Sequence, residues 1–425
     1  MKTEEIFTLD ISNIKFGQGV TYETGFEMQR LGSKNVMIVT DPHMSNSEAT
    51  EIALNSLQSA GIRTTLYDKV HIEPTDVSFK EAIAFANNMG FDGYLAIGGG
   101  SSIDTAKAVN LYQSYPAEFL TYVNAPVGLG APVPGPLKPL IAIPTTSGTG
   151  SETTGVSVFD LLEMKAKTGI ASRYLKPNVG LLDPNNVRTL PTMVTACSGM
   201  DTLGHALESF TALPFHNRVA PESPETRPAY QGANPLSDVW AKSALSTISR
   251  NLVRAVQNND DIEARGQMLL SSAIAGFGFG NAGCHLPHGM SYPVSGMVKD
   301  YVAPDYPPNT PLIPHGMAVA FNSPAVYRFT GPTNPNRHLE AVSLLGGNIE
   351  NANPEEAGDL LAEEIIKIMR KIGMPNGLSA VGYNASDVDD LIAGTMPQHR
   401  VIKLSPREVD EKVFEQLFMD SMKLW

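Results

Sequence analysis

Tyr94-Leu95-Ala96-Ile97-Gly98-Gly99-Gly100-Ser101-Ser102-Ile103-Asp104 passes from a short apolar run, through three glycines, into a helical pattern. Four apolar residues stopped by glycine read as a buried strand, and residues 102–112 as the helix that follows it. Glycines let a backbone approach a ligand closely, and a helix N-terminus offers free N–H groups and the positive end of the helix dipole. Together they suit a phosphate. The spacing is not the six-residue dinucleotide fingerprint, because its last glycine position is Ile103. A strand–helix turn capped by Ser101 or Ser102 gives the same string, so the triplet alone does not decide the matter.

The pattern continues outward on both sides. Val36-Met37-Ile38-Val39-Thr40 reads as a strand ending at Asp41-Pro42. Residues 47–60 have helical spacing, 63–67 form a strand, 79–89 a helix, and 140–143 a fourth strand ended by Pro144. Strands alternating with helices imply a parallel sheet covered on both faces, with ligands beyond the carboxyl ends of its strands. Asp41, the glycine triplet and the hydroxyl-rich Thr145-Thr146-Ser147-Gly148-Thr149-Gly150-Ser151-Glu152 each follow a strand end. A carboxylate at Asp41 suits a ribose 2′-hydroxyl and disfavours a 2′-phosphate, which favours NAD over NADP; a turn residue before Pro42 is the plainer reading. Asp41 precedes the glycines in the chain, so the topology is a variant of the usual dinucleotide fold.

Past residue 190 the texture changes. Segments 192–211, 236–257, 261–279, 355–373 and 386–395 read as helices without a clear strand between them. Residues 213–235 and 303–314 are proline-rich loops, and loops this long are often functional. The expected organisation is an α/β NAD-binding domain over residues 1–190 and an all-helical metal-binding and substrate domain over 191–425.

A chain of 425 residues is long enough for two domains, and 42% hydrophobic with 18% charged residues supports a large core. The net charge of −13 argues against a broad nucleic-acid or anionic-membrane face. No apolar run reaches the roughly 18 residues of a membrane span. Two cysteines, Cys197 and Cys284, cannot make a disulfide framework and are read as packing residues. The N-terminal residues have acids, no arginine and no cationic segment before an apolar stretch, so a cytoplasmic location is expected.

In Gly199-Met200-Asp201-Thr202-Leu203-Gly204-His205-Ala206-Leu207-Glu208, Asp201 and His205 are four residues apart on a helix, hence on one face. A carboxylate and an imidazole so placed can share a metal, although an ordinary helical contact looks identical. His288-Gly289-Met290 and His315-Gly316-Met317 repeat one tripeptide, in a chain with only nine histidines. One aspartate and three histidines suit Fe²⁺ or Zn²⁺ better than Mg²⁺ or Ca²⁺. His285 is read as structural or pocket-lining.

With Phe16-Gly17-Gln18-Gly19, these motifs resemble the iron-containing alcohol dehydrogenase family over essentially the whole chain. Arg227-Pro228-Ala229-Tyr230-Gln231-Gly232-Ala233-Asn234-Pro235, Gly278-Phe279-Gly280-Asn281-Ala282-Gly283 and the ending Ser421-Met422-Lys423-Leu424-Trp425 resemble its hydroxyacid–oxoacid transhydrogenase branch. The resemblance implies a Rossmann-like domain joined to a helical one, as in dehydroquinate synthase. It also implies a homodimer, a 4-hydroxybutyrate-type donor, a 2-oxoglutarate-type acceptor, and NAD held between half-reactions. An ordinary NAD-dependent alcohol dehydrogenase that releases NADH is the alternative.

Carried over by position, the resemblance makes Asp201, His205, His288 and His315 metal ligands. It makes Asp41, Gly99, Gly100, Ser101, Asp104, Thr145, Thr146, Thr154 and Lys167 cofactor contacts. Where many relatives have a further histidine for proton relay, this chain has Tyr292. Arg218 and Arg227 are the candidates for a substrate carboxylate.

Overall fold

Val36-Met37-Ile38-Val39 is uninterruptedly apolar because both of its faces are covered. In the computed structural model, which describes residues 2–164 and 166–425, Val36 and Ile38 enter one core with Leu57, and Met37 and Val39 enter another with Ala82 and Ile103. The chain divides into two compact units. One is Asp10–Leu190; the other is Pro191–Trp425 together with the residues before Asp10.

The first unit carries a six-stranded sheet in the order β1-β8-β5-β4-β2-β3. Its strands are β1 (Asn13–Phe16), β2 (Asn35–Val39), β3 (Arg63–Tyr67), β4 (Gly93–Gly98), β5 (Leu140–Pro144) and β8 (Val179–Leu182), all parallel. The helices α1 (Thr24–Arg30), α2 (Glu48–Ser59), α3 (Asp76–Ala86) and α4 (Gly100–Ser114) connect and cover them. Val39 pairs with Ala96 and Gly98 with Pro144, so β2, β4 and β5 end along one edge. The strand order reverses between β2 and β4, which is where such sheets leave a crevice for a ligand.

An antiparallel hairpin, β6 (Val156–Leu161) and β7 (Ala166–Ala171), departs from the all-parallel expectation. The four-residue strands β1 and β8 also escaped the sequence reading, being too short to show a period.

Lys107 is wholly buried; its Nζ donates to Ser151 Oγ at 2.6 Å and to the Val156 carbonyl at 2.7 Å. Ser151 Oγ donates to Asp104 Oδ1 at 2.5 Å, and the Val158 N–H donates to Asp104 Oδ2 at 2.9 Å. This network ties α4 to the loop after β5 and to the hairpin.

The second unit is built from α5 (Thr192–Thr211), α6 (Pro235–Gln257), α7 (Ile262–Ala282), α8 (Leu286–Gly296) and α9 (His315–Thr330), followed by α10 (Pro335–Leu344), α11 (Ala357–Lys371), α12 (Val388–Thr395), α13 (His399–Ile402) and α14 (Glu411–Ser421). Helices α8 and α9 were invisible in the sequence pattern for one reason. Each is buried nearly all round and carries an internal proline, Pro293 and Pro324, so neither shows an apolar stripe. The residues before Asp10 depart from the expected 1–190 domain. The Glu4 N–H donates to the Arg218 carbonyl at 2.9 Å, the Thr8 N–H donates to Gln231 Oε1 at 2.8 Å, and Phe7 packs edge-on to Phe215. The segment is thus stitched to the loop 213–235. Among the described residues no helix is long and apolar enough to cross a membrane.

Glu152, fully buried beside this network, has an Oε1 without a hydrogen-bond partner among the described residues, and burial raises its carboxyl from 4.5 to about 7. Between those values the folded protein keeps a proton that the unfolded chain gives up, so this group adds stability as pH falls from 7 towards 4.5. Glu152→Gln is expected to remove a slope of up to about 1.4 kcal/mol per pH unit in that window. Denaturant midpoints of both proteins at pH 5 and pH 7.5 check it; identical pH dependence would refute the assignment.

Candidate metal centre and nucleotide edge

Asp201, His205 and Glu208 occur at spacings of four and three on α5, so one face presents all of them. His288 lies in the first turn of α8 and His315 opens α9. The three helices bring His205 Nε2, His288 Nε2 and His315 Nε2 to 3.7, 3.5 and 3.8 Å from a single atom, Asp201 Oδ1. Metal–ligand bonds of roughly 2.1 Å put tetrahedral donors about 3.4 Å apart, close to these separations. Asp201 Oδ1 and His288 Nε2 are buried with no hydrogen-bond partner among the described residues. Buried polar atoms are rarely left so, and mixed imidazole–carboxylate donors fit a divalent transition ion.

The two His-Gly-Met tripeptides have a common structural logic. Both methionines are buried in the core of the unit. A Cβ on Gly316 would stand 2.0 Å from the Cys197 carbonyl oxygen and 2.9 Å from Asp201 Cβ, so only glycine lets α9 settle against α5 at the aspartate. A Cβ on Gly289 would meet Val401 at 3.3 Å, which is where α13 packs on α8.

Glu208, unassigned in the sequence reading, orients the centre. His288 Nδ1 donates to its Oε1 at 2.5 Å, and the His285 and His288 backbone N–H groups donate to its Oε2 at 2.7 and 3.3 Å. A carboxylate can only accept here, so Nδ1 carries a ring proton and Nε2 is the nitrogen left to ligate a metal. The missed signal was its spacing, seven residues after Asp201 on a marked helical face.

Burial opposes ionisation of both acids, but the surrounding imidazoles hold Asp201 and Glu208 below the usual carboxylate range. Burial depresses His205 to about 4; its ring stacks on Phe279 with centroids 3.8 Å apart. Cys284, read as packing, lies with donor atoms of His205 and His288 in a group no more than 4.8 Å across. Burial pushes its thiol up to about 11, which disfavours the thiolate. His285 is structural as expected, its Nε2 2.9 Å from Thr211 Oγ1. Tyr292 lies one turn beyond His288 and stacks near His315, with centroids 5.9 Å apart. Its hydroxyl accepts from Arg400 Nη2 at 3.2 Å.

The residues carried over as cofactor contacts separate into groups. Gly99 caps α4 with no side-chain hydrogen bond, so neither Ser101 nor Ser102 acts as the cap. A Cβ on Gly99 would lie 3.2 Å from Thr146, and one on Gly100 only 2.6 Å from Thr149, so the glycine loop and the threonine loop are pressed together. Thr145 and Thr154 are buried in the second of these. Asp41 lies across from Gly98, and its Oδ1 accepts from the His43 and Met44 N–H groups at 2.9 and 3.0 Å. It caps the turn with one oxygen.

Two further residues are already engaged. Asp104 is held by Ser151, Lys107 and Val158 as described above. Lys167, on β7, is bound by Glu73 at 2.8 Å and Asp160 at 3.0 Å, which hold its ammonium charged against the cost of burial. Glu73 in turn donates its backbone N–H to Ser101 Oγ at 3.2 Å, linking Lys167 to the glycine loop.

The substrate-carboxylate candidates fare differently. Arg227 is paired with the buried Glu4 at 3.2 Å. Arg218 is partly desolvated near the same pair, attracted by Glu4 and repelled by Arg227. Arg227 is thus committed to Glu4, whereas the Arg218 guanidinium has the coulombic attraction alone and no ion pair among the described residues.

The chain belongs to the iron-containing alcohol dehydrogenase family. Residues 12–184 match the family model "Iron-containing alcohol dehydrogenase", and residues 229–422 match "Fe-containing alcohol dehydrogenase family, C-terminal". It is an oxidoreductase of the hydroxyacid–oxoacid transhydrogenase branch. The hydroxyacid-oxoacid transhydrogenase of Bos taurus is 52% identical over 425 residues, covering 100% of this chain and 91% of the relative. That of Xenopus tropicalis is 53% identical, covering 100% and 92%. The structure of a 1,3-propanediol oxidoreductase superposes with a TM-score of 0.85 at 27% identity, covering 98% of this chain and 100% of that one. The transhydrogenases are mitochondrial proteins by name, which overturns the cytoplasmic expectation. Asp201 and His205 fall between the two matched ranges, so their placement rests on the geometry alone.

Glu208→Ala frees the His288 ring and is expected to weaken divalent-metal retention about 10–100-fold. Metal analysis after graded chelator challenge measures this; unchanged retention would remove Glu208 from the centre.

Proposed function

We propose that this enzyme moves a hydride between the hydroxyl carbon of a small hydroxy acid of the 4-hydroxybutyrate type and NAD, and returns it to a 2-oxo acid of the 2-oxoglutarate type. The observation that carries the reading is the convergence of three imidazole Nε2 atoms on Asp201 Oδ1 in a chain 52% identical to a transhydrogenase over its full length. Asp201, His205, His288 and His315 would hold Fe²⁺, and the same donors suit Zn²⁺. When bound, the ion supplies Lewis-acid polarisation of the substrate oxygen.

The remaining work belongs to side chains and backbone. Glu208 keeps the proton on His288 Nδ1 and fixes that ring's orientation. Tyr292, stacked near His315, places a phenol where it can relay the proton of the substrate hydroxyl, passing its own proton on as it accepts one. Asp41, Gly99, Gly100, Ser101, Thr145, Thr146 and Thr154 would hold NAD at the sheet edge. Asp41 would offer its second carboxylate oxygen to a ribose, and the N-terminus of α4, which has no side-chain cap, would supply N–H groups to a pyrophosphate. Asp104 and Lys167 stabilise those loops from within.

The test is 4-hydroxybutyrate with 2-oxoglutarate and no added NAD. The expected products are the semialdehyde and 2-hydroxyglutarate in equal amounts. Turnover that requires added NAD, with NADH release from plain alcohols, would instead establish the ordinary dehydrogenase. His288→Ala is expected to lose both the metal and at least about 10³-fold in activity; a metal-free variant with full activity would sink the site.

A further inference from the structure

Arg400 stands apart from the other arginines near the loop 213–235. It lies on the short α13, which packs against α8 through Val401 and Gly289. Its Nη2 donates to the Tyr292 hydroxyl at 3.2 Å, and its guanidinium carbon sits 4.7 Å from the centre of the Tyr230 ring. Its Nη1 is sealed from solvent and has no hydrogen-bond partner among the described residues. No carboxylate of the described chain pairs with it, whereas Arg227 has Glu4, Arg254 has Asp261 and Arg337 has Asp238. Burial pushes the Tyr230 phenol up to about 12, so it brings no counter-charge at neutral pH.

The position matters as much as the charge. Tyr292 follows His288 by one helical turn and stacks near His315. The guanidinium therefore borders the imidazole cluster from the side of α8 that carries Tyr292. A half-buried arginine with a sealed Nη1 and no counter-ion is costly, and its planar fork matches a carboxylate.

The geometry points to Arg400 as the residue that binds the carboxylate of the hydroxy-acid and oxo-acid substrates, with Tyr292 and Tyr230 holding its guanidinium in place. This rests on the hydroxy-acid reading above. It makes Arg400, not Arg218 or Arg227, the residue that separates acids from neutral alcohols.

The experiment compares the full-length holoenzyme with Arg400→Gln and Arg400→Lys, using 4-hydroxybutyrate and 1-butanol as alternative donors. Arg400→Gln is expected to lower kcat/KM for 4-hydroxybutyrate about 100-fold, mostly through KM, and for 1-butanol by less than about 5-fold. Arg400→Lys, which keeps the charge but not the fork, should fall between. Metal content and the amount of NAD retained by the enzyme should stay at wild-type values. Equal losses on both donors, a loss of retained NAD as the sole change, or an undiminished acid preference would each overturn the assignment. If Arg400→Gln does not fold, Arg400→Lys carries the same comparison. Failure of the hydroxy-acid reading shows separately, as a wild-type enzyme with no preference for 4-hydroxybutyrate over 1-butanol.

Discussion

The helical unit is organised by one costly placement, a carboxylate buried among three imidazoles. Removing an ionised Asp201 from water costs several kcal/mol; His205 one turn along α5 offsets part of this, and the other two partners must come from elements distant in sequence. Two helices without an amphipathic stripe, α8 and α9, supply them. Gly316 lets α9 approach the α5 backbone, and a Cβ on Gly204 would strike Val319 at 2.8 Å. The imidazoles cannot all carry protons side by side. A divalent ion would satisfy the same four donors without that repulsion.

The nucleotide edge solves the opposite problem in a chain with net charge −13. Its two buried lysines, Lys107 and Lys167, are consumed by Asp104, Glu73 and Asp160 inside the fold. What remains at the edge is backbone, namely the uncapped start of α4 and glycines packed against Thr146 and Thr149. An anion held there is met by N–H dipoles rather than by a cation. An acidic protein can thus hold a pyrophosphate without a basic surface.

What the sequence disclosed follows from this division. Continuous apolar strands buried on both faces are readable locally, and so were β2, β3, β4 and β5 with the loops after them. The repeated His-Gly-Met was readable because each of its residues answers a separate demand: donor, close approach, core. The hairpin β6–β7 was missed although Val156-Ser157-Val158 alternates, because the alternation is brief and polar residues interrupt it. Glu208 was in view and passed over, since its role depends on His288, eighty residues away. The residues before Asp10 could not be placed, because their partners Arg218 and Gln231 lie in another part of the chain.

The arginines show most clearly why a site can be legible while its specificity is not. Arg227 drew notice for its motif, yet Glu4 from the N-terminal segment neutralises it. Arg400 sits in no motif, and nothing in its sequence neighbourhood marks it. Its meaning comes from a charge count over groups that only the fold assembles. Asp201 and Glu208 carry one negative charge each, a divalent ion would cancel them, and neutral histidines add nothing. Arg400 then leaves one uncompensated positive charge at the border of the centre. A neutral alcohol would leave that charge standing, whereas a monocarboxylate would cancel it. The same balance holds for a hydroxy acid and for the oxo acid it becomes, since hydride transfer leaves the carboxylate untouched. The distal carboxylate of a 2-oxoglutarate-type acceptor lies as many carbons from its reacting carbonyl as the carboxylate of 4-hydroxybutyrate lies from its hydroxyl carbon, so one arginine can serve both half-reactions of a transhydrogenase.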